Sequence, residues 1–176
     1  MKGITITILI ALSILACSRF NGGDKKPKLL LIKKNDSLYF LEVKTDTSIN
    51  KWKLPYSVYR YQTGDIDQDG VEDMVVGVIK TTRFDPTISK RIFIFKNNNG
   101  LVRPLWLGSR LGQPLEDFAF VSYKNKAFIR SIEKERSGKY LVAEYKWRKF
   151  GLEFCRYICR EVELYKAQEI LNNKRI

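Results

Sequence analysis

The chain contains no histidine. That absence excludes nucleophile–histidine–acid catalysis, in its serine and cysteine forms, and every histidine-ligated zinc site. Cysteine is scarce: three in 176 residues, at positions 17, 155 and 159. Cys155 and Cys159 lie in a stretch that reads as a strand, where residues four apart are about 13 Å apart, far beyond disulfide reach. They are expected to be two small buried or half-buried apolar residues, and two thiols without histidine make no metal site. Acids are the minority. Nineteen Asp and Glu stand against 32 Lys and Arg, a net charge of +13. Such a surplus draws a protein to anionic surfaces.

Long apolar runs are also missing, with one exception at the start. Met1-Lys2-Gly3 is followed by an apolar stretch from Ile4 to Leu15, then by Ala16-Cys17. A lysine, a short hydrophobic run and a small residue are the parts of a secretory signal. The run is too short to span a bilayer, which takes about 20 helical residues. Ile14-Leu15-Ala16-Cys17 resembles the lipobox of bacterial lipoproteins. That resemblance implies that residues 1–16 are removed and that Cys17 is diacylated and becomes the N-terminus. Acyl chains contribute about 0.8 kcal/mol per buried methylene, and more than one chain anchors stably.

Residues 17–23 then form a lipidated tether. It lacks the acidic cluster that resembles the surface-export signal of some Bacteroidetes lipoproteins, so the expected location is the periplasmic face of the outer membrane. Loss of Lys2 with the signal lowers the net charge to +12 over the remaining 160 residues. The expected partners are the membrane, through Cys17, and an envelope protein, an anionic glycan or lipopolysaccharide. Nucleic acid is not expected, because export removes the chain from the cytoplasm.

Residues 24–176 read as a single, mainly β domain. Apolar or alternating segments at 28–34, 37–44, 58–62, 74–79, 91–96, 101–107, 118–123, 127–133, 140–148 and 152–162 are separated by turn residues such as Asn35-Asp36, Asn97-Asn98-Asn99-Gly100 and Ser137-Gly138. Pro104 assigns 101–107 to a sheet edge or an interrupted strand. Only the end looks helical: Leu164, Ala167, Gln168 and Leu171 recur at helix spacing after Glu163. About ten strands joined by short connections predict up-and-down antiparallel, blade-like sheets, part of a propeller or a partly open barrel, with a short C-terminal helix.

One motif carries chemistry. Asp65-Ile66-Asp67-Gln68-Asp69-Gly70-Val71-Glu72-Asp73 has the form D-x-D-x-D-G-x-x-D. Alternate carboxylates of this kind wrap a hard cation that takes 6–8 oxygens at about 2.3–2.6 Å. Asp65, Asp67, Asp69 and Asp73 would supply side-chain oxygens to Ca2+ and Val71 its carbonyl, with Gly70 allowing the sharp turn. An EF-hand would need Glu where Val76 stands, and would enter a helix, not the β-like segment at 74–79. A D-x-D-x-D-G-x-x-D loop that runs straight into an apolar strand resembles the calcium loop of FG-GAP and VCBS repeats, the blades of integrin-type propellers. The likeness covers residues 61–80. There is one such loop and no Phe-Gly…Gly-Ala-Pro string, and a seven-bladed ring needs a longer chain.

Farther on, Arg83-Phe84-Asp85-Pro86, the run at 90–96 and Val102-Arg103-Pro104-Leu105-Trp106-Leu107-Gly108-Ser109-Arg110-Leu111-Gly112 resemble a family of uncharacterised Bacteroidales lipoproteins. That family supplies no assigned activity.

Two function classes compete. The first is a non-enzymatic calcium-binding, partner- or polyanion-binding module. Its candidate contact patch is Arg83, Arg103, Trp106 and Arg110, because arginine forks suit carboxylate or phosphate and a tryptophan offers a stacking face. The second is a carboxylate-dependent glycan hydrolase using Glu116 and Asp117. Consecutive strand residues face opposite ways, which makes that pair a poor acid and base. Gly108-Ser109-Arg110-Leu111-Gly112 lacks the strand-to-helix setting and the Gly-Lys-Ser/Thr ending of a phosphate loop.

Overall fold

The computed structural model describes residues 26–82, 85–108 and 111–173. These form three antiparallel sheets, each a simple meander in chain order, with none closed into a barrel. The first holds β1 (Lys28–Asn35), β2 (Leu38–Lys44) and β3 (Ile49–Leu54). The second holds β4 (Ser57–Gly64), β5 (Asp73–Thr82), β6 (Asp85–Asn98) and β7 (Leu101–Leu107). The third holds β8 (Leu115–Tyr123), β9 (Lys126–Lys134), β10 (Tyr140–Arg148) and β11 (Gly151–Val162), and is followed by the helix α1 (Leu164–Asn172). The mainly β, blade-like architecture with a short C-terminal helix is therefore as expected. The signal segment, Cys17 and the tether lie outside the described residues.

The sheets stack in sequence order. Leu41, Val43 and Leu54 of the first sheet meet Met74, Val76, Phe93 and Phe95 of the second. The other face of the second sheet, through Val75, Ile92, Ile94 and Trp106, meets Phe118 and Ile129 of the third. The far face of the third sheet is covered by α1, whose Ala167 and Leu171 pack on Val121, Ile132 and Val142. β5 lies between β4 and β6 and is covered on both sides, which is why residues 74–78 are all buried and read as part of a continuous apolar run.

The structure has eleven strands among the described residues, one more than expected. The addition is β3. Its Asn50, Trp52 and Leu54 point inward while Ile49, Lys51 and Lys53 are exposed, so a period of two is present but the lysines mask it. β7 is an edge strand, as Pro104 requires. The register slips opposite Ile94 and Phe95, leaving Leu105 as the extra residue beside the proline. Cys155 and Cys159 are free and lie on β11; Cys159 is half-buried as expected, but Cys155 is exposed. No helix among the described residues is long and apolar enough to cross a membrane.

Candidate metal centre

The acidic loop joins β4 to β5, and its two ends, Gly64 and Asp73, are paired across the strands. The loop is held closed by its own carboxylates. Asp65 Oδ1 accepts the Asp69 amide at 3.0 Å and Asp65 Oδ2 the Gly70 amide at 2.9 Å. Asp69 Oδ1 accepts the Val71 amide at 2.9 Å, and Asp73 Oδ2 accepts that of Ile66 at 3.0 Å. Gln68 and Gly70 take left-handed backbone, with φ of 59° and 89°, and reverse the chain. Glycine does this freely; glutamine needs the surrounding bonds to hold it there. Gln68 Nε2 donates to the Asn125 carbonyl at 2.8 Å, tying the loop to the turn between β8 and β9.

Two features fix the loop to the core. Ile66 is buried beside Val75 and Ile94, and burying a side chain of this size stabilises by about 1.5–3 kcal/mol. Gly64 lies under the Phe120 ring so closely that a Cβ there would come within 2.2 Å of it. The third sheet therefore presses directly on the root of the loop.

Within this frame, carboxylate oxygens of Asp65, Asp67 and Asp73 lie within 4.8 Å of one another. Asp73 is completely buried, and its Oδ1 has no hydrogen-bond partner; Asp67 Oδ1 is likewise buried and unpartnered. Burial pushes the Asp73 carboxyl up to about 7, against the pull of the Ile66 amide. An orphaned carboxylate oxygen in such a place costs several kcal/mol unless something satisfies it. Three converging carboxylates, two of which carry a buried oxygen without a partner, fit a divalent cation.

Asp69 is placed differently from the expectation. It does not join that cluster; its Oδ2 lies 2.6 Å from the Lys96 ammonium. Lys96, on β6, also lies 2.6 Å from Asp67 Oδ2. Its hydrogen bonds to Asp67 and Asp69 raise its proton affinity above the ordinary value, and the same lysine holds the Asp69 carboxyl below its own. Sequence reasoning missed Lys96, although a signal exists. Ile92, Ile94 and Lys96 share one face of a strand, and a lysine that ends an apolar face needs a partner. Val71 is exposed at the loop's turn.

Of the expected arginine and tryptophan patch, the described residues place Arg103 and Trp106 only. Arg103 is exposed on β7, but Trp106 packs in the core and is only 9% exposed, so it offers no stacking face. Arg83 and Arg110 lie outside the described residues. Glu116 and Asp117 correct a second expectation. A register shift between Leu115 and Asp117 leaves Glu116 in a bulge, and both acids reach partners on the second sheet. Glu116 pairs with Lys90 at 2.5 Å and Asp117 with Arg60 at 2.5 Å. They join two sheets through ion pairs.

No known protein family, curated protein or solved structure matches this chain.

Proposed function

We propose that this protein is a non-enzymatic, calcium-binding envelope module, anchored to the membrane through Cys17 on the periplasmic face of the outer membrane. The observation that supports it most is the gathering of the Asp65, Asp67 and Asp73 carboxylates within 4.8 Å of one another, where Asp67 and Asp73 each keep one buried oxygen without a partner. Calcium would take side-chain oxygens from Asp65, Asp67 and Asp73 and the carbonyl of Val71, with Asp69 joining once Lys96 is displaced. Its chemistry there is structural: it neutralises acids whose mutual repulsion reaches about 4 kcal/mol per pair at 4 Å and an effective dielectric of 20. The chain's own residues do the rest. Ile66 and Gln68 fix the loop to the core and to the neighbouring sheet, so an ion bound at its centre stiffens the junction of the second and third sheets. The surplus of basic residues supplies the attraction for an anionic glycan, lipopolysaccharide or acidic envelope protein.

The test is a thermal melt in chelator and then in calcium, with titration calorimetry. Sites of this type bind at about 10⁻⁴–10⁻³ M. At ten times the dissociation constant, binding adds about 1.4 kcal/mol, which raises the melting temperature by about 3–6 °C for a domain of this size. Magnesium should do much less, because it demands tighter octahedral geometry. Asp67→Ala and Asp73→Asn should each erase the response. Identical wild-type melts in both conditions, with no heat of calcium binding, would reduce the loop to an acidic turn neutralised by Lys96.

A further inference from the structure

The two ends of the stack of sheets are unlike. The outer face of the third sheet is covered by α1. The outer face of the first sheet is exposed, and its composition is specific. Across β1, β2 and β3, Lys28 stands beside Lys44 and Ile49, Leu30 beside Glu42 and Lys51, and Ile32 beside Phe40 and Lys53. All four lysines are exposed. Leu30 is 37% exposed and Ile49 53%. Glu42, the one acid among them, is buried and paired with Lys51 at 3.0 Å.

We infer that this face of the first sheet docks on an anionic phospholipid bilayer. Four lysines are interspersed with four aliphatic and aromatic side chains, and the single acid at the middle of the face is neutralised by one of them, Lys51. Lysine is depleted at protein–protein interfaces, which argues against a protein partner here. Lysine is suited to a bilayer surface, where its stem lies along the acyl boundary and its ammonium reaches the phosphates. Leu30, Ile32, Phe40 and Ile49 then meet the headgroup region instead of water.

Position supports the same occupant. Lys28 lies eleven residues after Cys17, and eleven extended residues span at most about 40 Å. An acyl group on Cys17 would therefore keep the first sheet close to the membrane, whereas the face under α1 is separated from it by two further sheets. This proximity rests on the proposed anchor; the charge and apolar content of the face do not.

The test uses the unacylated chain beginning at Ser18, because every described strand and the helix lie within residues 28–172. Its binding is measured by co-sedimentation with phosphatidylcholine vesicles, with and without phosphatidylglycerol, at low and high salt. Three chains are compared: the wild type, a Lys28→Glu, Lys44→Glu, Lys53→Glu variant, and a control with Lys126→Glu, Lys134→Glu, Lys139→Glu. The two variants carry the same net charge, and circular dichroism confirms that each is folded. A lysine near an anionic surface changes partitioning about fivefold. The sheet-face variant should therefore bind phosphatidylglycerol vesicles at least about a hundredfold more weakly, while the control stays within about tenfold of the wild type. Equal losses in both variants would show that net charge alone acts and would overturn the assignment. Absence of wild-type binding to phosphatidylglycerol vesicles would do the same, as would a preference for lipopolysaccharide micelles that ignores the sheet-face change. Because no acyl chain is present, these outcomes are independent of whether Cys17 is lipidated.

Discussion

Arg130 and Glu144 face each other on β9 and β10, both fully buried, with Arg130 Nη2 2.9 Å from Glu144 Oε1. Each uses its remaining atoms. Glu144 Oε2 accepts Arg156 Nε at 2.9 Å and the Tyr123 hydroxyl at 2.8 Å. Arg130 Nη1 donates to the carbonyls of Ile170 at 3.0 Å and Asn173 at 2.6 Å. The last turn of α1 leaves its carbonyls without helical partners, and a buried guanidinium satisfies two groups there. One ion pair thus joins the centre of the third sheet to the helix that covers it.

Glu144→Gln should be among the most destabilising single changes in the domain. It leaves Arg130 buried without a counter-charge, which costs about 3–5 kcal/mol. The pH dependence follows from the carboxyl's environment. Burial pushes Glu144 up, but the hydrogen bonds from Arg130, Arg156 and Tyr123 outweigh it and hold the group below its ordinary 4.5. A carboxyl depressed in this way stabilises the fold above its unfolded value and loses that contribution as pH falls through the folded one. Urea titrations should show a wide gap between wild type and Glu144→Gln at neutral pH, narrowing as pH drops below about 4.5. A gap of constant width would show that folding does not shift the Glu144 carboxyl, and one that widens as pH drops would show that the group is un-ionised in the native state.

Lys96→Met should strengthen calcium binding. The ammonium between Asp67 and Asp69 occupies oxygens that the ion would use, and unit charges this close interact by a few kcal/mol at an effective dielectric of 20. Because a flexible lysine can swing aside, a gain of about tenfold is expected, not the full Coulomb figure. The ion-free protein should melt at a lower temperature than the wild type, having lost its internal cation. Calorimetry and melts in chelator measure both. Weaker calcium binding in Lys96→Met would mean that the lysine supports the site and does not compete with it.

Gly64→Ala tests how the third sheet braces the loop. A Cβ at that position would lie 2.2 Å from the Phe120 ring, so the ring or the strand must move. Such overpacking costs about 1–3 kcal/mol. Trimming the ring with Phe120→Leu should restore part of the loss in the Gly64→Ala background while destabilising the wild type. A double-mutant cycle that proves additive would separate the two residues energetically.

Cys17→Ala should abolish acyl labelling and release the protein from membranes. Metabolic labelling with a fatty acid, followed by fractionation, reads both. Normal labelling of the variant would remove the lipobox reading.

Much of the fold was legible because its strands announce themselves locally. The turn at Asn99-Gly100 has both residues in left-handed backbone, with φ of 51° and 85°, and its sequence says as much. The run at 74–79 reads as a covered strand because both faces of β5 are covered as far as Val78. β3 was hidden because two of the three residues on its exposed face are lysines, which carry no strand signal. The four aspartates were legible as a group, but their division was not. Asp69 leaves the cluster because of Lys96, 27 residues away in sequence, and only the register of β6 against β5 brings that lysine to the loop. The bulge at Glu116 was equally invisible, since the slip lies in pairing and not in composition.

Each sheet is one uninterrupted stretch of chain, and among the described residues no core cluster joins the first sheet to the third. Strand pairing is thus confined to neighbours in the chain, which shortens the loops that pairing must close and should speed folding for a β protein. It also gives folding a direction. As synthesis proceeds from the N-terminus, each completed meander offers a finished apolar surface for the next to settle on, and α1 arrives last. Chains that stop before residue 164 would contain every strand yet leave Val121, Ile132 and Val142 uncovered. They should accumulate as soluble aggregates or proteolytic targets, even though no strand is missing.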